Sequence, residues 1–594
     1  MAPSNSCNTG FLRLGDPSRV RRGNAVDAKE KRRAGTSTKE AKMLKMTDIR
    51  TFNGIVAAAT TKRLLAPIAA CLIALGPSVP PMYAATDPAA AIPTATPIKH
   101  LVVIFNENIS FDHYFGAYPV ATNPAGEPAF TAKPGTPTVN GYTPALLTNN
   151  PNLNPANGAG ATNPFRLDPS QAVTADQNHS YTPEQQAFDL GLLDLFPAFV
   201  GTAGPPPTGI PIVSTPGLNL GYYDGNTVTA MWNYAQNFAL NDNSYSSNFG
   251  PSSPGAVNMF SGQTNGVIAT LNGTGDEVNG GSDGSLTLIG DADPIGDTCS
   301  SSTRNQATMG GQNIGDLLNA AGITWGSFLG GFNLSIVNAN QTTGCARSST
   351  GLSGTTADYI PHHSWPQYYT STANPEHTRP ASTTEIGHNG PANHVYDFQD
   401  FMTVAEAGVI PAVSFIKAPA YQDAHAGYSN PLDEQTFVVT LIDLLMQKSF
   451  WNSTSIVILY DDSDGWYDHQ MAPIVNTSTG PADALTGPGA CGTAATSLPG
   501  INPANLHALG RCGYGMRQPL MVISPYARQN FVDHTLTDQS SVIRFVEDNW
   551  LSGQRIGNGS FDTIASPINQ MFDFTQIRRN SILILDPSTG EPIL

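Results

Sequence analysis

Short apolar runs recur along the chain, and each run is followed directly by polar side chains. Six such runs occupy residues 100–105, 238–240, 323–328, 413–416, 455–460 and 519–524. Runs of this length predict buried strands. Between them, residues 314–321 and 433–448 place apolar side chains at helical spacing. This alternation predicts an α/β fold, in which helices cover both faces of a central, mainly parallel sheet.

The composition favours long loops around this framework. Of the 594 residues, 57 are Gly and 47 are Pro, whereas only 13% are charged. Residues 117–170 and 264–312 are rich in Gly, Asn and other loop-forming residues, and we expect them to be insertions over or beside a site. The 40% hydrophobic content is enough for a large core, which excludes a disordered chain.

The charge distribution bears on the choice of partners. The formal net charge is −17, although 14 of the 29 basic residues lie in the first 85 positions. The remainder of the chain is strongly acidic and repels polyanions at long range. We therefore expect no nucleic-acid partner and no non-specific binding to anionic lipid headgroups.

The N-terminal region has the pattern of an exported protein. Residues 1–45 are basic and aperiodic, and we interpret them as a disordered extension or a mis-assigned start. Residues 46–85 combine a basic pair, an apolar run and small residues, which predicts a signal peptide and a periplasmic or secreted protein. The apolar run is too short for an integral membrane span, and no later segment matches it. The alternative to a cleaved signal peptide and a secreted chain is a lipoprotein that carries a lipid at Cys71.

Four of the six cysteines follow the predicted signal peptide. In an exported chain, an even number of cysteines in Gly/Ser/Thr/Pro-rich loops predicts disulfides. Sequential pairing would join Cys299 to Cys345 and Cys491 to Cys512. The rival interpretation, a metal site, lacks any Cys-x-x-Cys spacing.

Hard oxygen ligands follow two of the predicted strands. Glu107 and Asn108 come after the first run, and Asp461 and Asp462 begin a nine-residue segment with five acidic or imidazole groups. Ligands collect at the carboxyl ends of strands in such sheets, and clustered carboxylates need a cation to neutralise them. The structural alternatives are an acidic first turn of a helix for the first pair and a solvated turn for the second.

A third polar segment supplies a candidate nucleophile. In Gly250-Pro251-Ser252, the serine is placed to cap a helix, where free backbone N–H groups attract anions. A hydroxyl there can attack phosphorus if a metal activates it. An ordinary helix cap is the alternative. The segment is not the Gly-x-Ser-x-Gly elbow of α/β-hydrolases, because Pro254 occupies the last Gly position.

Histidines occur in several of the remaining loops. His179, His362, His363 and His425 all lie in polar segments between the predicted elements. A single histidine is usually structural. Several histidines that face two acidic strand ends indicate groups that bind a phosphoryl group or transfer a proton to a leaving group.

Together these segments resemble the bacterial phosphoesterase family, which groups phospholipases C with acid phosphatases in the alkaline-phosphatase-like superfamily. The resemblance rests on the Glu-Asn-x-Ser-Phe-Asp-His-Tyr-Phe-Gly segment from Glu107, on Gly-Pro-Ser at Ser252 and on the acidic segment from Asp461. It implies one catalytic domain over residues 97–586, folded as an alkaline-phosphatase-like three-layer sandwich with long loop insertions.

The resemblance also implies the site. One divalent metal ion, whose identity stays open because oxygen ligands suit several ions, would be bound by Glu107, Asn108, Asp461, Asp462 and Ser252. Ser252 would be the nucleophile. The catalytic groups around the phosphoryl group would be His179, His363 and His425.

The expected function is an exported metal-dependent acid phosphatase that hydrolyses small phosphoric monoesters with an acidic optimum. Gly-Pro-Ser-x-Pro-Gly and Ile-Pro-His-His resemble the acid phosphatase branch of the family. The first alternative is a phospholipase C that binds a phospholipid headgroup and cleaves the phosphodiester of choline lipids. The second is an exported binding protein without catalytic activity.

Overall fold

The computed structural model describes residues 87–203, 210–493, 497–578 and 581–593. The interpretations of residues 1–45 and 46–85, and that of Cys71, lie outside the described residues.

The described residues form eighteen β-strands and ten α-helices. The strands are β1 His100–Asn106, β2 Phe165–Arg166, β3 Gly221–Tyr222, β4 Ala239–Tyr245, β5 Asn265–Leu271, β6 Glu277–Asn279, β7 Leu286–Leu288, β8 Asp293–Pro294, β9 Gln306–Met309, β10 Trp325–Leu329, β11 Ser348–Gly351, β12 Gly354–Ala357, β13 Val395–Asp397, β14 Val413–Lys417, β15 Thr454–Tyr460, β16 Arg517–Ile523, β17 Phe531–Asp533 and β18 Thr537–Asp538. The α-helices are α1 Phe111–Phe115, α2 Pro144–Thr148, α3 Tyr181–Ala187, α4 Phe196–Phe199, α5 Thr229–Asn237, α6 Ser252–Ser261, α7 Ile314–Ala321, α8 Phe398–Glu406, α9 Pro431–Met446 and α10 Ser540–Trp550.

A nine-stranded sheet forms the centre of the fold. Its order is β13-β10-β14-β1-β15-β16-β4-β17, and β18 also pairs with β4. Neighbouring strands are parallel except that β16 runs antiparallel to both β15 and β4. The predicted α/β class with a mainly parallel central sheet is therefore confirmed.

Helices cover this sheet on both faces. Every residue of β1, β15 and β16 is buried, which requires cover on each side of the sheet. The helices form two groups, in which α6 packs with α7 and α10, and α9 packs with α5 and α8. The result is the predicted three-layer arrangement.

The six predicted strands are all present, and β4 is much longer than its apolar run. β4 continues through polar residues to Tyr245 because its buried side chains find partners. The Asn241 amide, for example, donates to Asp533 Oδ2 over 3.2 Å and to the Thr535 carbonyl over 2.9 Å. The short strands β13, β17 and β18 were missed, because two or three residues show no period.

The predicted helix over residues 433–448 lies two residues nearer the N-terminus, as α9. Asn430 caps it by accepting hydrogen bonds from the amides of Leu432 and Asp433, both over 3.0 Å. Pro431 follows as the first helical residue, a position where its missing N–H costs nothing. The cap therefore sets where the helix begins. The helix predicted over Ile314–Ala321 has the predicted bounds.

One of the two expected loop insertions contains regular structure. Residues 264–312 form a second, five-stranded sheet in the order β6-β7-β5-β9-β8. Its strands are short and bulged, and exposed Ile268 interrupts the polar–apolar alternation, so the sequence shows no clear period. Residues 117–170 hold only α2, β2 and short 3₁₀ turns.

Both predicted disulfides are confirmed. Cys299 is bonded to Cys345 and Cys491 to Cys512, with Cα separations of 5.3 and 5.7 Å. Among the described residues, no helix is long and apolar enough to cross a membrane.

Candidate active site

The site begins where β1 and β15 end side by side. The two strands pair in parallel from His100 opposite Thr454 to Asn106 opposite Tyr460. The next residues of each strand, Glu107 and Asp461, therefore emerge together at the carboxyl edge of the sheet. Here the sequence-predicted ligands from two distant segments meet.

Helix α6 brings Ser252 to this edge. Pro251, not Ser252, is the N-cap, so the expectation that the serine caps the helix is wrong. Ser252 is the first helical residue, and its hydroxyl donates to Glu107 Oε2 over 3.0 Å and to Asp462 Oδ2 over 3.2 Å. Its side chain is thus aimed at the carboxylates instead of the helix backbone.

Two glycines make this placement possible. Gly250 has φ 122°, a conformation that side chains rarely adopt, and it turns the chain into α6. A Cβ at Gly255 would lie 2.3 Å from the carbonyl oxygen of Asp461. Helix α6 can therefore approach the strand end only with glycine at this position.

The carboxylates and Asn108 form a buried group of converging oxygens. Ligand atoms of Glu107, Asp461 and Asp462 lie within 4.8 Å of one another. Asn108 Oδ1 faces Glu107 Oε2 at 2.8 Å and Asp461 Oδ1 at 3.1 Å, and a 180° turn of the amide would place hydrogen bonds there instead. Asp461 Oδ2 has no hydrogen-bond partner.

This donor set fits a hard divalent cation. Acceptor oxygens that face one another repel unless a cation or a proton lies between them. Carboxylate, amide and hydroxyl oxygens are the ligands that Mg²⁺, Ca²⁺ and Mn²⁺ prefer. Burial raises the pKa of Asp462 well above its ordinary value, which shows how strongly this carboxylate needs a compensating charge.

The second oxygen of Glu107 is held by two basic groups. Lys417 Nζ forms a buried ion pair with Glu107 Oε1, and His363 Nδ1 lies 3.1 Å from the same oxygen. Lys417 is the last residue of β14 and was not among the predicted site residues. The strand-end rule could have found it, because it follows the apolar run 413–416 directly.

The three predicted catalytic histidines surround this group from other loops. His363 contacts Glu107, and His425 Nε2 lies 3.1 Å from the Asn108 amide. His179 Nδ1 lies 3.3 Å from Asp464 Oδ1. His362 points elsewhere, with Nδ1 3.4 Å from Asp293 Oδ1.

The histidines differ in protonation. Burial lowers the pKa of His363 well below its ordinary value and also lowers the pKa of His425. Burial acts in the same direction on His179, but the carboxylates of Asp462 and Asp464 outweigh it and raise the pKa of His179 well above the ordinary value. The three histidines therefore do not gain charge together as the pH falls through neutrality.

The acidic segment after β15 divides between three sites. Asp461 and Asp462 join Ser252, whereas Asp464 joins His179. Asp468 instead accepts from the buried Arg517 guanidinium, with Nε 3.0 Å from Asp468 Oδ2. The same guanidinium donates to Asp112 Oδ1 over 2.9 Å, and Asp112 also pairs with the His469 ring. Asp112, Asp468 and His469 thus anchor α1 to Arg517 of β16.

A cavity of about 330 Å³, lined by both polar and apolar residues, lies beside the site. Its lining includes His179, Pro251, Asp276 and Asp291. Asp291 also accepts a hydrogen bond from the Ser253 amide over 2.9 Å, so one N–H at the start of α6 is already occupied. Ser252 itself is only 1% exposed.

Comparison with curated proteins finds bacterial phospholipases C. Phospholipase C A of Mycobacterium tuberculosis is 24% identical over 466 residues, which cover 76% of this chain and 72% of that protein. Non-hemolytic phospholipase C of Pseudomonas aeruginosa is 32% identical over 143 residues, which cover 24% of this chain and 20% of that protein. The chain therefore aligns with only a fifth of the Pseudomonas enzyme.

Similarity to solved structures is distant. Murine ectonucleotide pyrophosphatase/phosphodiesterase 5 is 12% identical with a TM-score of 0.28, and the match covers 58% of this chain and 95% of that chain. A variant of the alkaline phosphatase PafA is 10% identical with a TM-score of 0.28, over 58% of this chain and 94% of that chain. The model of the Phosphoesterase family matches residues 98–551, which include every site residue described above. The chain therefore belongs to the Phosphoesterase family.

Proposed function

We propose that this phosphoric ester hydrolase is an exported, metal-dependent acid phosphatase that hydrolyses monoesters through Ser252. The observation that carries the proposal is the position of the Ser252 hydroxyl. It is buried and donates to two carboxylates, Glu107 Oε2 at 3.0 Å and Asp462 Oδ2 at 3.2 Å. A serine held in this way is oriented toward the cation-binding oxygens and is ready to lose its proton.

The residues that would hold one divalent cation are Glu107, Asn108, Ser252, Asp461 and Asp462. When bound, the cation supplies positive charge that favours the deprotonated serine and neutralises the phosphate oxygens. Lys417 keeps Glu107 Oε1 occupied, so Glu107 offers the cation site its other oxygen, Oε2.

In the proposed reaction, Ser252 Oγ attacks phosphorus and its proton passes to the neighbouring carboxylate. The Oγ–P bond forms as the ester P–O bond breaks, and the alcohol leaves with a proton from solvent in the cavity. Water then attacks the phosphoserine and releases phosphate. The side chains of His179, His363 and His425 border the phosphoryl group and stabilise its oxygens, which is where catalysis of phosphoryl transfer mainly lies.

The size of the cavity supports a small ester. Ser252 is almost completely covered, and the cavity beside it has a volume of about 330 Å³. This space suits a phosphoryl group on a small polar alcohol better than one on two acyl chains.

A phospholipase C is the second candidate, and an exposed apolar loop favours it. Leu190 and Leu192 are 64% and 61% exposed in the loop after α3, whose first residues line the cavity. Exposed apolar side chains suit contact with a lipid surface. The phospholipase C relatives from Mycobacterium and Pseudomonas point in the same direction.

Substrate comparison tests the two functions. Profiles of kcat/KM against pH for p-nitrophenyl phosphate and p-nitrophenyl phosphorylcholine should show preference for the monoester and an acidic maximum. Release of phosphorylcholine from phosphatidylcholine vesicles should be slow and insensitive to a Leu190→Ser/Leu192→Ser double change. Rapid release that this change abolishes, with the monoester rate intact, would establish the phospholipase C instead.

Export is tested separately. The mature protein from periplasm or medium should begin near Ala85 or Thr86 by intact mass, because the signal-peptide pattern ends there. A full-length cytoplasmic product would contradict this part of the proposal.

A further inference from the structure

Glu184 links the turn before the candidate nucleophile to the turn that carries candidate cation ligands. It lies in α3 and is only 2% exposed. Its Oε2 accepts a hydrogen bond from the Gly250 amide over 3.0 Å, and its Oε1 accepts one from the Ser463 hydroxyl over 2.8 Å. The two partners lie 66 and 279 positions away along the chain. One buried carboxyl group therefore joins two segments that are distant in sequence.

These two hydrogen bonds close a ring that includes the Ser252 hydroxyl. Gly250 lies two residues before Ser252, and Ser463 directly follows Asp462. The ring closes where Ser252 Oγ donates to Asp462 Oδ2 over 3.2 Å. The separation of Ser252 from Asp462 therefore depends on Glu184 through both segments.

The Gly250 amide needs this acceptor. Gly250 is buried, and a buried backbone N–H without a partner costs free energy. Its φ of 122° is a conformation that other residues rarely adopt, so the turn fixes the direction of this N–H. The next residue, Pro251, has no N–H and is the N-cap of α6. Gly250 therefore supplies the last backbone donor before the helix, and Glu184 holds it.

The Ser463 side chain is held from a second direction as well. Ser463 is fully buried, and its hydroxyl oxygen also accepts from the Gly465 amide over 3.1 Å. Since the hydroxyl donates to Glu184 and accepts from Gly465, the direction of this side chain is fixed. The next amide along the chain, that of Asp464, donates to Asp462 Oδ1 over 2.7 Å. The same turn therefore also orients the Asp462 carboxylate.

The hydrogen-bond partners of Glu184 carry no charge, because they are a main-chain amide and a hydroxyl. Burial raises the pKa of the Glu184 carboxyl to about 7 from an ordinary 4.5, although the hydrogen bonds from Gly250 and Ser463 and the charge of His179 act in the opposite direction. Asp462 faces it from the loop after β15. The fold should therefore tolerate a neutral Gln at this position at least as well as the carboxyl group.

We propose that Glu184 is a positioning residue for the reaction, which holds the Gly250 turn and the Ser463 turn at the separation that aligns the Ser252 hydroxyl with the cation-binding oxygens. The proposal rests on the proposed function, in which Ser252 is the nucleophile. Glu184 acts through its neighbours, because its hydrogen bonds go to them and not to the serine. A nucleophile that is misplaced by about 1 Å can lose about a hundredfold in rate. The strand-end argument could not find Glu184, because this residue lies in a helix.

The alternative is that Glu184 only secures α3. Other side chains of this helix already attach it to the loop over residues 483–485. The Tyr181 hydroxyl donates to Asp483 Oδ1 over 2.7 Å, and Gln185 Oε1 accepts from the Ala484 amide over 2.9 Å. If Glu184 served only the same purpose, its replacement would change the stability of the protein and leave kcat per folded molecule unchanged.

The test compares two replacements of Glu184 in the whole protein, with an excess of the divalent cation that best activates wild type. Glu184→Met keeps the length of the side chain but offers no carboxyl oxygen, so kcat for p-nitrophenyl phosphate should fall about a hundredfold while KM changes less than about threefold. Glu184→Gln can still accept from Gly250 and can donate to Ser463 Oγ, so its kcat should lie within about fivefold of wild type. Amide exchange in the peptide that contains Gly250, measured by mass spectrometry, should be faster in Glu184→Met than in Glu184→Gln.

A double-mutant cycle assigns the effect to the link. Ser463→Ala should lower kcat about tenfold in wild type but have little further effect in Glu184→Met, because both changes break the same connection. Glu277→Met is the matched control. Glu277 is a buried glutamate of β6 whose two carboxyl oxygens have no hydrogen-bond partner, so its replacement should leave kcat unchanged. Thermal unfolding checks that each protein is folded.

Three results would overturn the proposal. These are a wild-type kcat in folded Glu184→Met, additive effects of Glu184→Met and Ser463→Ala on kcat, or an equal loss of kcat in Glu184→Met and Glu184→Gln. If Glu184→Met does not fold, Ser463→Ala decides, because a wild-type kcat in that variant contradicts the link. An active Ser252→Ala protein would instead overturn the proposed function. An inactive Ser252→Ala protein beside a fully active Glu184→Met protein contradicts only the positioning role.

Discussion

The main-chain amide of Asn108 donates a hydrogen bond to Asp461 Oδ1 over 3.0 Å, although 353 positions separate the two residues. Asn108 has φ 56°, a left-handed conformation that asparagine tolerates. Its amide can therefore point across to the end of β15 just after β1 has ended. This backbone contact fixes the two strand ends relative to each other, and with them the carboxylates that receive the Ser252 hydroxyl.

Replacement of that hydroxyl should abolish turnover. Ser252→Ala is expected to lower kcat by more than about a thousandfold, because it removes the attacking oxygen itself. Thermal unfolding should be nearly unchanged. Ser253→Ala is the matched control, since the Ser253 hydroxyl accepts from Tyr368 over 3.0 Å and lies outside the cation group. An active Ser252→Ala protein together with an inactive Ser253→Ala protein would make Ser253 the nucleophile.

The sheet could be predicted from the sequence because its strands are buried on both faces. In β15, the residues Ile456–Leu459 form a continuous apolar run. Strands buried on both faces have such runs, whereas half-exposed strands alternate polar and apolar residues. The antiparallel direction of β16 could not be predicted from its residues, because the direction of a strand depends on how the chain returns to the sheet. The strands of residues 264–312 are partly exposed and bulged, so their period is lost.

The site was predictable to the extent that its residues follow strands. Glu107 and Asp461 both stand directly after apolar runs, and a parallel sheet brings such positions to one edge. Asp176 and Asp464 could not be assigned in this way. They lie close to His179 and His425 through loop conformations that have no sequence period.

Gly255→Ala tests whether the approach of α6 sets the position of Ser252. The added Cβ would lie 2.3 Å from the Asp461 carbonyl oxygen and 2.7 Å from its carbon, and neither backbone atom can move freely. We expect a loss of about 1–3 kcal/mol in the free energy of unfolding. Displacement of Ser252 should also lower kcat/KM about a hundredfold.

Gly480→Ala is the control for this change, because the nearest atom to its added Cβ is 3.4 Å away and lies outside the site. It should leave kcat/KM unchanged. Urea unfolding and steady-state kinetics measure both effects, and a Gly255→Ala protein with wild-type kinetics would show that α6 can shift without moving the hydroxyl.

Lys417→Met tests the role of the buried ion pair with Glu107. Removal of the ammonium leaves a buried carboxylate without its partner, which should lower the free energy of unfolding of the metal-free protein by about 3 kcal/mol. Addition of Mg²⁺, Ca²⁺ or Mn²⁺ should then stabilise the variant more than wild type, because the cation replaces the missing charge.

Lys448→Met is the matched control for that variant. Lys448 pairs across 3.2 Å with Glu406, whose side chain is 64% exposed, so its removal should cost less than about 1 kcal/mol. Urea unfolding with chelator and with added cation makes both comparisons. Equal stabilisation of Lys417→Met and wild type by the cation would show that Lys417 does not compensate the site.

Glu434 should make the stability of the protein depend on pH. It is buried beneath the site and accepts hydrogen bonds from Asn106, Tyr114 and Tyr460, and burial raises the pKa of its carboxyl to about 7 from an ordinary 4.5. The folded state therefore retains a proton that the unfolded state has already released. The stabilising contribution is complete below pH 4.5 and is lost as the pH rises through 7. This contribution to the free energy of unfolding is about 3 kcal/mol in full.

Glu434→Gln should be less stable than wild type at pH 5, and this difference should shrink or reverse at pH 8. Glu406→Gln, on the surface, should show the same pH dependence as wild type. Urea unfolding at the two pH values measures the effect, and a constant difference between Glu434→Gln and wild type would mean that the carboxyl does not titrate in this range.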